Sequence, residues 1–104
     1  MNQFHFPEKI RSLPIFQGRF DANKLTTEDV DIYFASYPEK TVIEPHQHDT
    51  DNYGVVTQGE LILIIDGEEK YFYPGDWYHV EPNHVHAARF EKDTSEIEFW
   101  FKEE

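Results

Sequence analysis

The sequence predicts an all-β fold, a sandwich or a barrel with no substantial helix. Short apolar segments recur at roughly eight- to ten-residue intervals, the spacing of strands joined by turns. Strong turn signals separate them: Asp66-Gly67, Pro74-Gly75-Asp76 and Glu81-Pro82-Asn83. No stretch of about ten or more residues carries an apolar helical period. With 104 residues, one domain over residues 1–104 is expected.

The elements follow in order. Residues 1–28 read as an N-terminal arm and edge strands. The first nine residues give a weak signal, an arm or an edge strand. Ile10 to Phe20 contains Pro14 and Gly18, so a strand there is an edge strand or an interrupted one. Asp21 to Asp29, "DANKLTTED", is polar and reads as a loop or a single turn. Its Thr26-x-x-Asp29 pattern can open a helix, but no helical period follows it. Val30 to Tyr37 alternates as a half-buried strand does. Thr41 to Glu44 is a short strand that runs into Pro45. Tyr53 to Thr57 and Glu60 to Ile65 are strands on either side of Gln58-Gly59. Asp66-Gly67 turns the chain back, because both residues tolerate positive φ. Further strands are expected over Trp77 to Val80, His84 to Phe90 and Glu96 to Phe101. In the last, Ile97, Phe99 and Phe101 share one face, and alternation sends Glu96 and Glu98 to water.

Composition excludes several functions. Asp and Glu number 21 against 9 Lys and Arg, a formal charge of −12. That field repels nucleic acid and anionic membranes. There is no cysteine, hence no disulfide, thiolate nucleophile or Cys-ligated zinc. No apolar run approaches the roughly 18–20 residues that span a bilayer. The opening "MNQFHFPEKI" lacks the basic and apolar regions of a signal peptide, so a cytoplasmic location is expected.

The histidines carry the chemistry. Six occur, and four fall in two His-x-His pairs, His46/His48 and His84/His86. On a strand, residues i and i+2 project from the same face, so each pair presents two imidazoles together. Imidazole suits zinc, iron, copper and nickel. Two to four of these rings with an acid or amide make a divalent-metal site. The competing reading is two polar strand ends at a barrel rim.

The stretch from Ile43 to Phe90 resembles a small single-domain cupin. His46-x-His48 is followed by three residues, Asn52, six residues and Gly59. This is the spacing of the first cupin motif, with Asn52 where the family has glutamate. Gly67, "EEKYFY", Pro74-Gly75-Asp76, "WYHV", Glu81-Pro82-Asn83 and His86 follow the second. The two motifs occupy residues 40–90; the glycine that leads the family's first motif is missing before His46. The resemblance implies a conical β-barrel of the jelly-roll type and a metal held by His46, His48, Asn52 and His86. It places His84 in the turn before the last ligand, as a bystander. The metal would be a divalent transition ion, Fe, Zn, Ni or Mn. An amide in place of the carboxylate leaves its full +2 charge, which strongly polarises a bound oxygen. Asp51 reaching inward after a register shift is the alternative. A homodimer is also implied.

Other candidates are weaker. Tyr33, Tyr37, Tyr53, Tyr78 and His79 lie on expected strands, where a ring serves packing more often than acid–base chemistry. By parity with the family's apolar positions, Tyr78 and Val80 point inward, Trp77 and His79 outward. Arg11, Arg19 or Arg89 can hold a substrate carboxylate or join a surface ion pair. Asp76 accepts backbone N–H bonds within its turn. The functional expectation is a metal-dependent enzyme on a small polar or anionic molecule, an oxygenase, isomerase or lyase. The alternatives are a non-catalytic cupin that binds a small ligand or metal, and a metal-free barrel using His46 or His48 as general base.

Overall fold

The computed structural model describes residues 6–18 and 20–102. Residues 1–5 and Arg19, which carried part of the arm and one candidate arginine, lie outside them. One short helix, α1 (Glu8–Arg11), precedes ten strands: β1 (Ile15–Gln17), β2 (Asp21–Thr26), β3 (Val30–Tyr37), β4 (Thr41–His46), β5 (Asp51–Gln58), β6 (Leu61–Ile65), β7 (Glu68–Phe72), β8 (Trp77–Val80), β9 (His86–Phe90) and β10 (Thr94–Phe101). They form two antiparallel sheets, ordered β1-β2-β3-β10-β5-β8 and β4-β9-β6-β7. Among the described residues the sheets do not pair with each other. The architecture is a jelly roll of two packed sheets, as expected, open where a closed barrel would be hydrogen-bonded. No helix among the described residues is long and apolar enough to cross a membrane.

Two N-terminal expectations are corrected. The arm region contains one helical turn, with the Ile10 and Arg11 N–H groups both donating to the Pro7 carbonyl at 3.0 Å. The polar segment from Asp21 forms strand β2 up to Thr26, not a loop. It pairs with β1 on one side and β3 on the other, and it buries Ala22 and Asn23. The Asn23 amide donates to the carbonyls of Arg11 and Leu13, at 3.1 and 2.8 Å. Pairing on both edges satisfies the backbone whatever the side-chain propensity, which is why low β-propensity misled here.

Turn chemistry behaves as the sequence predicts. Asp66 and Gly67 both adopt positive φ, 54° and 77°, and join β6 to β7. Gly59 has φ 85°, and a Cβ there would lie 2.3 Å from the Asp93 carbonyl oxygen. In the next turn the Asp76 carboxylate accepts from the Tyr73 N–H at 2.8 Å.

The core sits between the sheets. Tyr33, Ala35, Tyr37, Val56 and Val80 of the larger sheet face Leu61, Leu63, Ala88 and Phe90 of the smaller one. Tyr37 and Phe90 stack across the gap with centroids 4.1 Å apart.

Candidate metal centre

A bulge aims the first histidine pair. Between β4 and β9, Ile43 opposes Ala88 and His46 opposes His86, so Glu44 and Pro45 together face the single residue Ala87. Ile43 and His46 both line the interior cavity, which strict alternation over three positions forbids. The extra residue of the bulge resets the parity and turns His46 and His48 inward. Proline fits there because it has no ladder N–H to lose.

Three imidazoles then converge. His46 lies 4.3 Å from His86 and 4.7 Å from His48, ring centre to ring centre, and His48 lies 5.5 Å from His86. One nitrogen from each ring falls within 4.8 Å of the others. An ion bound at about 2.0–2.1 Å from each nitrogen needs only small side-chain rotations to close this set. Nδ1 of His46 lies 2.8 Å from the Glu44 carbonyl oxygen, and Nδ1 of His86 lies 2.8 Å from that of His84. A carbonyl only accepts, so both Nδ1 atoms carry the proton. In the neutral form of each ring this leaves Nε2 as the nitrogen with a lone pair to offer a metal. Backbone carbonyls that fix ring and tautomer in this way accompany metal-binding histidines. The donor set fits a divalent transition ion.

The remaining candidates separate cleanly. Asn52 is buried on β5, lines the same cavity, and accepts from the Thr50 hydroxyl at 2.6 Å through Oδ1. That oxygen has a second lone pair. Asp51 turns outward and meets His79 Nε2 at 2.6 Å, with Tyr53 stacked on that imidazole. His84 lies in the turn, 2.9 Å from an Asp66 carboxylate oxygen, outside the three-histidine group. Arg89 forms exposed ion pairs with Glu69 and Glu91. Arg11 donates from Nε to the Phe6 carbonyl at 3.0 Å. Tyr33 is packed against Trp100, ring centres 4.5 Å apart, and burial, with Asp31 nearby, pushes its hydroxyl up to about 12. Tyr78 and Val80 face the interior, and Trp77 and His79 the outside.

One expectation at the site is overturned. Glu96 and Glu98 are not in water: they are 1% and 6% exposed and line the cavity of about 360 Å³ that His46 and His48 also line. Alternation on β10 is as predicted, but its polar face is the inner one, followed by Trp100. The partly buried Ile97 and Phe99 take the outer face. Tyr78 Oη donates to Glu96 and Tyr37 Oη to Glu98, each at 2.5 Å, while Trp100 Nε1 donates to Glu98 at 3.1 Å. Gly54 makes room for this network, since a Cβ there would sit 2.3 Å from the Tyr78 ring. Trp100 also packs on His48, ring centres 4.3 Å apart, and so links the carboxyl pair to the imidazoles.

Burial, then the Glu98 charge, raises Glu96 well above the usual carboxyl range; burial also raises Glu98. A carboxyl raised in the folded state binds its proton more tightly there than in the unfolded chain. Its stabilising contribution is complete below the ordinary glutamate range and is lost as pH rises through the raised value. The Tm of Glu96→Gln, which cannot ionise, should therefore fall less steeply than wild type as pH rises through neutrality. Parallel Tm–pH curves for the two would refute this.

The chain belongs to the cupin family: the cupin domain model matches residues 33–101. No curated protein matches. Among solved structures it is similar to KdgF from Halomonas sp., with 22% identity, 90% of each chain covered and a TM-score of 0.76. An RmlC-like cupin from Shewanella frigidimarina NCIMB 400 gives 20% identity, 97% of this chain and 91% of that one, and a TM-score of 0.78. DMSP lyase DddQ from Ruegeria pomeroyi DSS-3 gives 19% identity, 86% of this chain and 53% of that one, and a TM-score of 0.73. At these identities the likeness is one of fold.

Proposed function

We propose that this cupin holds one divalent transition ion on His46, His48 and His86, with the Asn52 amide oxygen as fourth ligand, and is a metal-dependent enzyme acting on a small polar molecule. The observation that carries the reading is the convergence of three imidazoles, two of them locked by backbone carbonyls, beside an aromatic-walled cavity that His46 and His48 line. When bound, the ion supplies Lewis acidity toward a carbonyl or hydroxyl oxygen. The chain's own side chains do the rest. Phe16, Phe20, Phe90 and Trp100 line the cavity and exclude water from the reacting group. Tyr37 and Tyr78 fix the carboxyls of Glu98 and Glu96. Elemental analysis after separate incubation with iron, zinc, nickel and manganese is expected to find near one equivalent of metal per chain. Absence of all four metals refutes the proposal.

The outer face of the larger sheet supports a homodimer. Tyr53, Trp77, Phe99 and Phe101 form an uncharged aromatic groove on an otherwise acidic molecule, with Trp77 59% exposed. A second copy would cover it without bringing charged side chains together. Sedimentation is expected to show a dimer that Trp77→Glu converts to monomer; a monomeric wild type would contradict this.

A further inference from the structure

The cavity holds a second group of titratable side chains that the metal centre does not use. Glu96 and Glu98 stand at i and i+2 on the inner face of β10, both buried, and each accepts from a tyrosine hydroxyl. Burial and the neighbouring charge disfavour ionising both, so one of the two carries a proton. The donors around them say which. Glu98 accepts from both Tyr37 and Trp100, whereas Glu96 accepts from Tyr78, so the negative charge is better held on Glu98 and the proton on Glu96. Two like charges this close and this dry do not both ionise.

We propose that Glu96 and Glu98 are one acid–base unit that holds a single proton and exchanges protons with a neutral hydroxy-carbonyl substrate in the cavity. This rests on the metal-centre reading for the placement of the substrate oxygen. The groups facing the pair are Tyr37 from β3, Tyr78 from β8 and Trp100 from β10. His46 and His48 line the same cavity beyond Trp100. The pair bears one negative charge whichever oxygen holds the proton, and a carboxylate or phosphate beside it would be repelled. A neutral substrate carries no such penalty.

The proton count suits a tautomerisation. The Glu98 carboxylate takes the C–H proton next to a carbonyl, and that electron pair forms the new C=C bond. The Glu96 carboxylic acid gives its proton to the carbonyl oxygen, whose π pair becomes the O–H bond. The unit ends with the one proton it began with, now on Glu98. Removing the proton of the neighbouring hydroxyl and adding one to the other carbon completes an exchange between hydroxy-aldehyde and hydroxy-ketone. No oxidant or co-reactant enters.

Two measurements test this. In the metal-free protein, with glutamate labelled by ¹³C at the carboxyl, one of these two signals should stay at the protonated position across neutral pH while the other stays ionised; Glu96→Gln and Glu98→Gln assign them. Both ionised, or both protonated, at neutral pH would overturn the shared proton. The second measurement follows deuterium entry from D₂O into dihydroxyacetone by ¹H NMR, with and without zinc. Wild type should exchange the probe, and the Glu96→Gln/Glu98→Gln protein should lose about a hundredfold or more in rate, the scale of a general acid–base group. No exchange by wild type, or equal exchange by the double variant, overturns the acid–base role. Exchange that is indifferent to zinc overturns the metal reading alone and leaves the pair standing. If the double variant does not fold, the labelled wild type still decides the proton count.

Discussion

Replacing His46 and His86 together by alanine is expected to abolish metal binding while leaving the fold intact. The two residues oppose each other across β4 and β9, and each is fixed through Nδ1 by a backbone carbonyl. Removing both leaves His48 and Asn52, too few donors to hold a divalent ion against water. In wild type, an ion present at a hundred times its dissociation constant stabilises the folded state by about 2.7 kcal/mol. Zinc or nickel should therefore raise the Tm of wild type and leave that of the double variant unchanged. Circular dichroism of the variant should still show the β-rich spectrum, since neither ring belongs to the apolar core. A metal-dependent Tm rise that survives the double substitution would mean that the ion binds elsewhere and would sink the three-histidine centre.

Phe90→Ala should have the largest effect on stability. Phe90 is 2% exposed, stacks on Tyr37 of the opposite sheet, and lies in the cluster that joins the two sheets. Truncating such a ring costs about 3–5 kcal/mol in lost burial and residual cavity. For a small domain whose whole stability is about 5–15 kcal/mol, that is a large share. Urea unfolding followed by fluorescence gives the difference directly. The same change removes the wall against which Tyr37 is set, and so loosens the donor to Glu98. A loss below about 1 kcal/mol would show that the sheets are held together by other contacts than this stack.

Much of the architecture was legible in the chain because it rests on local chemistry. Asp66-Gly67 and Pro74-Gly75-Asp76 mark turns by their dihedral preferences, and the runs between them are too short and too β-branched or aromatic for helices. Asp21 to Thr26 was not legible, since its strand exists only through pairing with β1 and β3. The helical turn at Glu8–Arg11 had no apolar period to announce it.

The candidate site divides along the same line. The sequence by itself determined the β class, the turn positions, the two His-x-His pairs and the parity within each strand. These depend on residue type and a two-residue period. Which face of a strand meets the cavity depends on what the other sheet presents, and only the tertiary structure decided that. Glu96 and Glu98 look like solvent-facing alternation, yet they line the interior, where Tyr37, Tyr78 and Trp100 supply the donors that buried carboxyls need. His46 faces inward because a bulge at Glu44-Pro45 resets the alternation. His86 joins it across the sheet while His84 stays outside with Asp66. Short-range periodicity sets what a strand can offer; pairing register and the desolvation of polar groups set which side of it becomes a site.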